Sequence, residues 1–339
     1  MVYRDYMQHF VRPLKWGNLT LPSNIFYASL SGCSNYPFRQ IASLYQPGLM
    51  FCEMVKMEGM IHQNSATYRM LDYNSSMRPI GAQLCGNNPK LAASCARIVE
   101  NLGFDVIDLN CGCPVDKVTK DGSGAKMLQN PELIGEVLAN MVAAVAIPVT
   151  VKIRIGWDNA HINAPEITKI AEQAGAKAIF VHGRTREQKY KGRANWDSIR
   201  ICKEVAASIC VIGNGDLFTA QDTQDLFVHS QCDGVLISRG ILGQPWIAEN
   251  IRRLDKSCSP IIPDMRKCII EHMECICSYQ TEHRALREMR KVGCWYLRNS
   301  MNCKKLREAI NRTCSLDEMK HLVLNYETTP SIFNSEVVS

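Results

Sequence analysis

The sequence Asp105-Val-Ile-Asp-Leu-Asn-Cys-Gly-Cys-Pro114 predicts a short buried strand that leads directly into a loop. Residues 105–109 are apolar and rich in β-branched side chains, as buried strands are. Gly112 permits backbone angles that other residues avoid, and Pro114 cannot continue a strand ladder. We therefore expect Cys113 on the loop, with a thiol accessible enough to react. The alternative is a buried cysteine beside a turn, the commoner environment for one of 16 cysteines.

Seven more apolar runs of similar length occur in the chain, and each is separated from the next by room for a helix. With the first run, they lie at 24–28, 49–53, 79–83, 105–109, 148–152, 178–182, 209–213 and 233–237. Helical spacing is found between them, for example at 89–102, 131–145 and 164–174, and Asn130 is placed to cap a helix that begins at Pro131. Eight strand–helix units in about 250 residues predict an α/β fold, the TIM (β/α)8 barrel. A doubly wound sheet is less favoured because no Gly-x-Gly-x-x-Gly follows the first strand.

Every predicted strand is followed by polar or small residues at its C-terminal end. These residues are Ser29-Leu-Ser-Gly32, Glu53, Gln83, Asn110 with Cys113, Lys152 with Arg154, His182-Gly-Arg-Thr-Arg186, Gly213-Asn-Gly-Asp216 and Ser238-Arg-Gly240. The strand ends of a TIM barrel meet at one mouth, so eight such ends predict one site. The last two loops combine small residues with Arg239, which suits a phosphate group.

The chain after residue 251 shows helical patterns and no further strand. We expect a barrel domain at 1–251, a helical domain at 252–325 and a flexible tail at 326–339. Residues 252–320 contain 15 Lys and Arg against 9 Asp and Glu, a net charge of +6 that equals the net charge of the whole chain. A cationic excess confined to one segment favours a polyanionic partner, although a solvated helical face is the alternative.

One predicted helix of this segment has two distinct faces at 100° per residue. Four cations and a tryptophan fall within an arc of about 80°: Arg284, Arg287, Lys291, Trp295 and Arg298. The opposite side contains Leu286, Met289, Gly293, Tyr296 and Leu297. The cationic face would contact phosphates, or it would be a solvated face whose tryptophan has its polar tip in water.

Several features indicate a soluble cytoplasmic protein. Residues 1–6 lack the layout of a signal peptide, and the longest apolar stretch, 137–151, is too short to span a bilayer. The cysteines are scattered, which is typical of reduced cytoplasmic thiols. The Cys-x-Cys pairs at 111/113 and 275/277 have no partner pair at zinc-site spacing, so no metal site is predicted. We expect a monomer without membrane contact.

The longest pattern of the sequence resembles a known signature. Asn-x-Gly-Cys-Pro-x(3)-Val-x(5)-Gly-Ala, which starts at Asn110, is similar to the signature of the tRNA-dihydrouridine synthases, flavoenzymes that reduce a uridine in tRNA. Further blocks resemble the same family over nearly the whole chain: Tyr36-Pro-Phe-Arg39, Gln83-Leu-Cys-Gly86, Val151-Lys-Ile-Arg154, the stretch 182–192 and the stretch 234–246. Met289-Arg-Lys291 with Trp295-Tyr-Leu297 is similar to the helical domain of the bacterial B-type members.

The resemblance implies bound FMN, NADPH as a transient reductant and tRNA as the partner. Cys113 would protonate C5 of the uracil ring while hydride reaches C6, and the uridine is expected in the D-loop. The residues implied for FMN binding are Ser29, Leu30, Ser31, Gln83, Lys152, His182, Asn214, Gly215, Asp216, Ser238 and Arg239. Those implied for substrate binding are Asn110, Arg154, Arg284, Arg287, Lys291 and Arg298.

Three stretches depart from the family pattern. The family usually has Ala-Pro-Met-Ala-Gly where this chain has Ala28-Ser-Leu-Ser-Gly32, glycine where it has Ser238, and a His-containing run where it has Val292-Gly-Cys294. Two alternatives remain. One is an FMN barrel acting on a small molecule, like dihydroorotate dehydrogenase, which leaves the cationic helical segment unexplained. The other is an RNA-binding barrel without catalysis, against which Cys113 and Lys152 argue.

Overall fold

A computed structural model describes residues 9–298 and 303–326. The predicted tail from residue 327 on and the stretch 1–6 lie outside these ranges. The chain divides into two compact units, Met1–Ile241 with Trp246–Pro260, and Leu242–Pro245 with Ile261–Ser339. The first unit continues past residue 251 because the helix that spans this position is anchored on it. In that helix Ala248 N donates a hydrogen bond to the hydroxyl of Tyr27 over 3.0 Å.

Eight parallel strands close the first unit into a TIM barrel, which confirms the predicted fold. The barrel strands are eight of the strands in the described residues, which in chain order are β1 (Leu14–Trp16), β2 (Leu19–Leu21), β3 (Ile25–Tyr27), β4 (Leu49–Phe51), β5 (Val55–Lys56), β6 (Ile80–Cys85), β7 (Val106–Cys111), β8 (Val149–Arg154), β9 (Ala178–His182), β10 (Cys210–Asn214) and β11 (Gly234–Ile237). The barrel order is β3-β4-β6-β7-β8-β9-β10-β11, and β11 pairs again with β3. The two-residue strand β5 extends the sheet beside β6.

Ten helices belong to the described part of the first unit. They are α1 (Tyr36–Ser43), α2 (Met57–Ile61), α3 (Ser65–Arg69), α4 (Pro89–Asn101), α5 (Asp116–Thr119), α6 (Pro131–Ala144), α7 (Ala164–Gln173), α8 (Trp196–Val205), α9 (Ala220–Ser230) and α10 (Ile247–Asp255). Short 3-10 turns occur at Ser75–Met77, Gly124–Gln129 and Arg239–Ile241. The predicted cap of α6 is confirmed, since Asn130 Oδ1 accepts from Leu133 N over 3.2 Å.

An antiparallel hairpin, β1–β2, precedes the barrel and was not predicted. Its residues Trp16 and Leu21 are buried in the same apolar cluster as Phe26 and Phe180 of the barrel strands. The ring of Trp16 lies 5.3 Å from that of Phe26 and 6.1 Å from that of Phe180. The signal was present in the sequence, because alternating residues flank a Gly17-Asn18 turn, and such pairs favour two-residue hairpins.

The strand register brings the polar ends of the strands to one end of the barrel. Gln83 is paired with Asp108, Asn110 with Lys152, and Arg154 with His182. The strands β7 and β8 extend two residues beyond their predicted ends, to Cys111 and Arg154. Polar residues can continue a buried strand here because they hydrogen-bond to one another.

The second unit contains four described helices, α11 (Met265–Tyr279), α12 (Glu282–Tyr296), α13 (Lys304–Arg312) and α14 (Leu316–Asn325). Helix α12 buries Ala285, Met289, Val292, Gly293 and Tyr296. Inside this unit the His272 ring contacts the Tyr296 hydroxyl over 3.0 Å, and Arg290 donates to Thr313 O over 2.7 Å. Across residues 9–298 and 303–326, every helix is too short or too polar to cross a bilayer.

Candidate active site

The loop that carries Cys113 is held by one side chain from the end of β7. Asn110 Oδ1 accepts from Gly112 N over 3.2 Å and from Cys113 N over 2.9 Å. Gly124 closes the loop with φ of +61°, and an added Cβ would come within 2.9 Å of Cys113 O, so this position requires glycine. Cys113 is partly exposed, whereas Cys111 is fully buried and burial raises its pKa well above the ordinary value. Of the two thiols, Cys113 alone can meet a substrate.

A buried chain of hydrogen bonds leads from this loop into the barrel. Asn110 Nδ2 donates to Gln83 Oε1 over 2.8 Å, and Gln83 Nε2 donates to Asp108 Oδ2 over 2.7 Å. The other carboxylate oxygen of Asp108 accepts from Thr150 Oγ1, also over 2.7 Å. Burial raises the pKa of Asp108 to about 6, and the hydrogen bonds and Lys152 oppose the rise. Neither Asp108 nor Thr150 was predicted as a site residue.

Lys152 lies half-buried on β8, on the strand beside Asn110. Burial and, secondarily, the neighbouring Arg154 lower its pKa to about 8. In the described ranges its ammonium makes no hydrogen bond and no ion pair, although Asp108 and Cys113 act on it electrostatically. An ammonium group held in this way gains from an anion that enters the mouth.

Arg154 was predicted to bind substrate, and in the structure its guanidinium has three protein acceptors. Nε donates to Gly112 O, and Nη1 donates to Thr185 O and to Lys189 O, each over 2.8 Å. The side chain is buried, and burial lowers its pKa to about 10. Arg154 therefore joins the Cys113 loop to the loop after β9.

The loop after β9 adds a second buried arginine, Arg184, which the sequence analysis did not select. Its Nη2 makes 2.7 Å hydrogen bonds to both carboxylate oxygens of Asp216. Its Nη1 lies 3.4 Å from His182 Nε2, and a guanidinium can only donate, so His182 is protonated on Nδ1. Burial, with the positive charges of Lys152 and three arginines, lowers the pKa of His182 well below its ordinary value. His182 is neutral at pH 7.

The loops after β10 and β11 form the side of the mouth that was predicted to bind phosphate. Asn214 Nδ2 links the two strands by donating to Leu236 O over 2.5 Å and to Ser238 Oγ over 3.1 Å. Gly215 has φ of +126°, and an added Cβ would come within 2.7 Å of Ala194 Cβ. The guanidinium of Arg239 lies 4.7 Å from the ring centre of Tyr190, which is 56% exposed at the rim.

The loop after β3 completes the mouth. Ser29 and Leu30 are partly buried and Ser31 is exposed. Leu30 N donates to Ser34 Oγ over 2.8 Å, and Gly32 N donates to Glu53 Oε1. The mouth thus includes all the predicted cofactor residues, whereas the predicted substrate residues on α12 belong to the second unit.

Three observations test whether these residues fit an anionic, ring-bearing ligand such as FMN. The buried hydroxyl of Ser29 has no hydrogen-bond partner among the described residues. Within the same ranges the backbone N–H groups of Gly215 and Asp216 also have none. The ammonium of Lys152 adds a positive charge. Unused donors and a positive charge at one barrel mouth fit a phosphate and a polar ring edge.

The second unit presents the predicted cationic stripe, defined as Arg284, Arg287 and Lys291 on helix α12 and Arg298 just beyond its end. All four side chains are exposed. The ammonium of Lys291 lies 5.0 Å from the ring centre of Trp295. Among residues 9–298 and 303–326, no carboxylate forms an ion pair with Arg284, Arg287 or Arg298. On the buried side, Leu286 is only partly buried, while Ala285 and Val292 pack where the sequence analysis had not placed them.

Comparisons with known proteins assign the chain to a family. The profile described as "Dihydrouridine synthase (Dus)" matches residues 27–331. The chain belongs to the dihydrouridine synthase family. The "Probable tRNA-dihydrouridine synthase 1" of Synechocystis is 34% identical over 319 residues, which cover 93% of this chain and 89% of the relative. The "tRNA-dihydrouridine synthase B" of Pasteurella multocida is 33% identical over 302 residues, with 88% and 91% covered. The predicted family and the predicted enzyme class, an oxidoreductase, are confirmed.

Solved structures resemble this dihydrouridine synthase family member in fold. Histamine dehydrogenase from Rhizobium sp. 4-9 superposes with a TM-score of 0.54 at 13% identity. The superposition covers 79% of this chain and 51% of the dehydrogenase, so the chain corresponds to about half of that protein. At this identity the likeness supports the barrel fold alone.

Proposed function

We propose that this protein is a flavin-dependent tRNA-dihydrouridine synthase. It would use NADPH to reduce the C5–C6 double bond of a uridine in tRNA, in the D-loop. The observation that carries the proposal is the partly exposed Cys113, held at the same barrel mouth as Lys152 and the loops after β10 and β11. A proton donor, a positive charge and a phosphate-sized group of donors are the parts that this reduction requires.

FMN would be held by the residues of the mouth. The phosphate and the polar groups of the cofactor would accept hydrogen bonds from four sources. These are the hydroxyl of Ser29, the N–H groups of Gly215 and Asp216, and the guanidinium of Arg239. Leu30, Ser31, Asn214 and Ser238 line the same loops. Gln83 still has one Nε2 hydrogen to donate after its bond to Asp108, and this hydrogen suits the pyrimidine edge of the flavin. Neutral His182 contacts the ligand without adding charge.

The chain supplies the proton and the charge balance of the reaction. Bound FMN, once reduced by NADPH, would supply the hydride for C6 of the uracil ring. The Cys113 thiol would deliver a proton to C5 as the general acid. Lys152 would stabilise the negative charge that the flavin gains near N1. Asn110 has its oxygen fixed on the loop N–H groups and would hold the base beside Cys113.

The tRNA would be held through its phosphates, since a base can reach a barrel mouth only after it leaves its stack. The cationic stripe of α12 makes the second unit a tRNA-binding domain in this proposal, which is also the role expected for residues 252–325. The rim residues Lys189, Tyr190, Lys191 and Arg193 are exposed and would contribute on the barrel.

Three measurements test the proposed function. The purified protein should absorb as a flavoprotein, and NADPH oxidation should depend on added tRNA that lacks dihydrouridine. Mapping dihydrouridine in the product should find the change in the D-loop. Oxidation that responds to a small substrate such as dihydroorotate or orotate and is indifferent to tRNA would favour the alternative barrel oxidoreductase. A colourless protein that binds tRNA would favour a binding protein without catalysis.

A further inference from the structure

The chain of hydrogen bonds from Thr150 to the Cys113 loop runs across three neighbouring strands. Gln83 on β6, Asp108 on β7 and Thr150 on β8 are paired side by side in the ladder. Their exposed fractions are 3%, 1% and 0%. The three distances along the chain, from Thr150 through Asp108 and Gln83 to Asn110, are 2.7, 2.7 and 2.8 Å. We call this set, with Asn110, the relay.

The two ends of the relay fix its direction. At the loop end the N–H groups of Gly112 and Cys113 can only donate, so Asn110 must present Oδ1 to them. Its Nδ2 then faces Gln83, which must present Oε1 and keep Nε2 for the next partner. An ionised carboxylate can only accept, and this is the partner that Asp108 provides. Each amide in the relay therefore has one permitted orientation.

We propose that Asp108 is a positioning residue. Through Gln83 and Asn110 it sets which atoms of the Gln83 amide face the cofactor and where the Cys113 loop lies. Without an acceptor at position 108, the Gln83 amide could rotate by half a turn and exchange its donor for its acceptor. Asn110 would then lose the partner that holds its own orientation. The part of the inference that concerns the cofactor rests on the proposed function. The part that concerns the position of the Cys113 loop rests on the hydrogen bonds alone.

The test uses two substitutions at one position in the full-length protein. Asp108→Leu removes the acceptor, while Asp108→Asn keeps an oxygen for Gln83 and can donate its Nδ2 to the Thr150 hydroxyl. Three quantities are measured: the Kd of the apoprotein for FMN, kcat and KM with tRNA, and the alkylation rate of Cys113 by mass spectrometry. Exposed Cys258 is the internal reference for alkylation.

We expect Asp108→Leu to weaken FMN binding by about tenfold or more, because a buried donor loses its partner. It should lower kcat by about 10²-fold, as small misplacements near reacting groups do, with little change in KM for tRNA. Alkylation of Cys113 should change while that of Cys258 does not. Asp108→Asn should recover most of each loss. A leucine variant with ordinary FMN affinity and ordinary Cys113 alkylation overturns the inference, as does an asparagine variant that is equally impaired.

Thr150→Val provides the answer if Asp108→Leu does not fold. It removes one donor to Asp108 with almost no change in volume, and it should move FMN affinity and Cys113 alkylation in the same direction by a smaller amount. Thr168→Val is the matched control, because the buried Thr168 hydroxyl lies on α7, outside the relay, and donates to Ala164 O of its own helix over 2.8 Å. Equal effects of the two valines overturn the relay. If FMN affinity and Cys113 alkylation change as expected but the wild-type protein does not reduce tRNA, the relay is supported and only the proposed substrate is refuted.

Discussion

The arginines of the barrel mouth and those of helix α12 occupy opposite environments. Arg154 and Arg184 are 2% exposed, and together they donate to six carbonyl or carboxylate groups, among them Asp216 and Gly112 O. Arg284 and Arg287 are exposed, and no described carboxylate pairs with them. A guanidinium with all its partners inside the protein fixes the shape of a site. A guanidinium without partners inside the protein can adapt to a polyanion, because binding to its phosphates depends on charge more than on exact geometry. Under the proposed function, the same residue type would build a small-ligand site in one unit and a tRNA-binding surface in the other.

The largest effect should come from removing the thiol that the fixed loops present. Cys113→Ala should lower kcat by about 10²–10⁴-fold, the usual contribution of a positioned general acid. FMN binding should persist, because Cys113 is not among the residues assigned to the cofactor. Single-turnover reduction of tRNA by the photoreduced enzyme measures the chemical step directly. Cys111→Ala is the control, and a Cys113 variant as fast as this control would remove the thiol from the reaction.

The contrast between buried and exposed arginines can be measured as stability. Arg184→Met should lower the free energy of unfolding by about 3 kcal/mol, since it leaves the carboxylate of Asp216 without its main partner. Asp216 is 25% exposed, which places the expected loss at the low end of the range. Arg287→Met on α12 should change it by less than about 0.5 kcal/mol. Urea denaturation of both variants measures the two changes in the free energy of unfolding. Equal losses of stability would contradict the distinction between the two environments.

Among the described residues, the Lys152 ammonium has no hydrogen bond and no ion pair, so it should act on the ligand rather than on the fold. Lys152→Met should weaken FMN binding by roughly 10–100-fold, the effect of losing a charged hydrogen-bond donor. The lysine is protonated below its pKa of about 8 and neutral above it, so the FMN affinity of the wild type should fall as the pH rises through and above 8. Fluorescence titration between pH 7 and 9 should show no such alkaline fall in the variant. If the FMN affinity of the variant decreases over the same pH range, the pH dependence belongs to another group.

The smallest effects are expected from the cationic stripe, where each contact is replaceable. Replacing Arg284, Arg287, Lys291 and Arg298 by alanine should raise KM for tRNA and leave FMN binding intact. The log–log slope of tRNA binding against salt should flatten by up to about 0.7 for each lost phosphate contact.

A matched control for the stripe removes four exposed cations from the outside of the barrel. They are Lys90, Arg97, Lys169 and Lys177. Their loss lowers the net charge equally and should alter the salt slope much less. If both quadruple variants weaken binding alike, the stripe contributes only to the net charge and is not a docking surface.

The barrel was predictable from the sequence because strands such as β9 are buried on both faces. Residues 178–181 are apolar, and the strand occupies the predicted residues 178–182. The ends of β7 and β8 were placed too early because Asn110 and Arg154 look like loop residues. They remain in the strands since each finds its hydrogen-bond partners on another segment, which one sequence does not reveal.

The sequence predicted which strand ends meet at the candidate site. It did not predict which side chains hydrogen-bond to one another there. Asp108 looked like one polar residue in an apolar run, and its role depends on Gln83, 25 residues earlier. The burial of Arg154 depends on carbonyl groups of two distant loops. On α12 the 3.6-residue period gave the exposed face correctly, and the buried face was shifted by the choice of Leu286 over Val292.

The contacts of Arg154 have a consequence for how this chain can vary. The guanidinium holds main-chain oxygens of residues 112, 185 and 189, and any amino acid presents that same oxygen. These contacts of Arg154 therefore constrain the lengths of the two loops but not the side chains at positions 112, 185 and 189. An insertion or deletion in either loop would carry a carbonyl out of reach and loosen the other loop with it. In evolution the residues whose carbonyl groups Arg154 binds can be exchanged, yet the two loops must keep their lengths together.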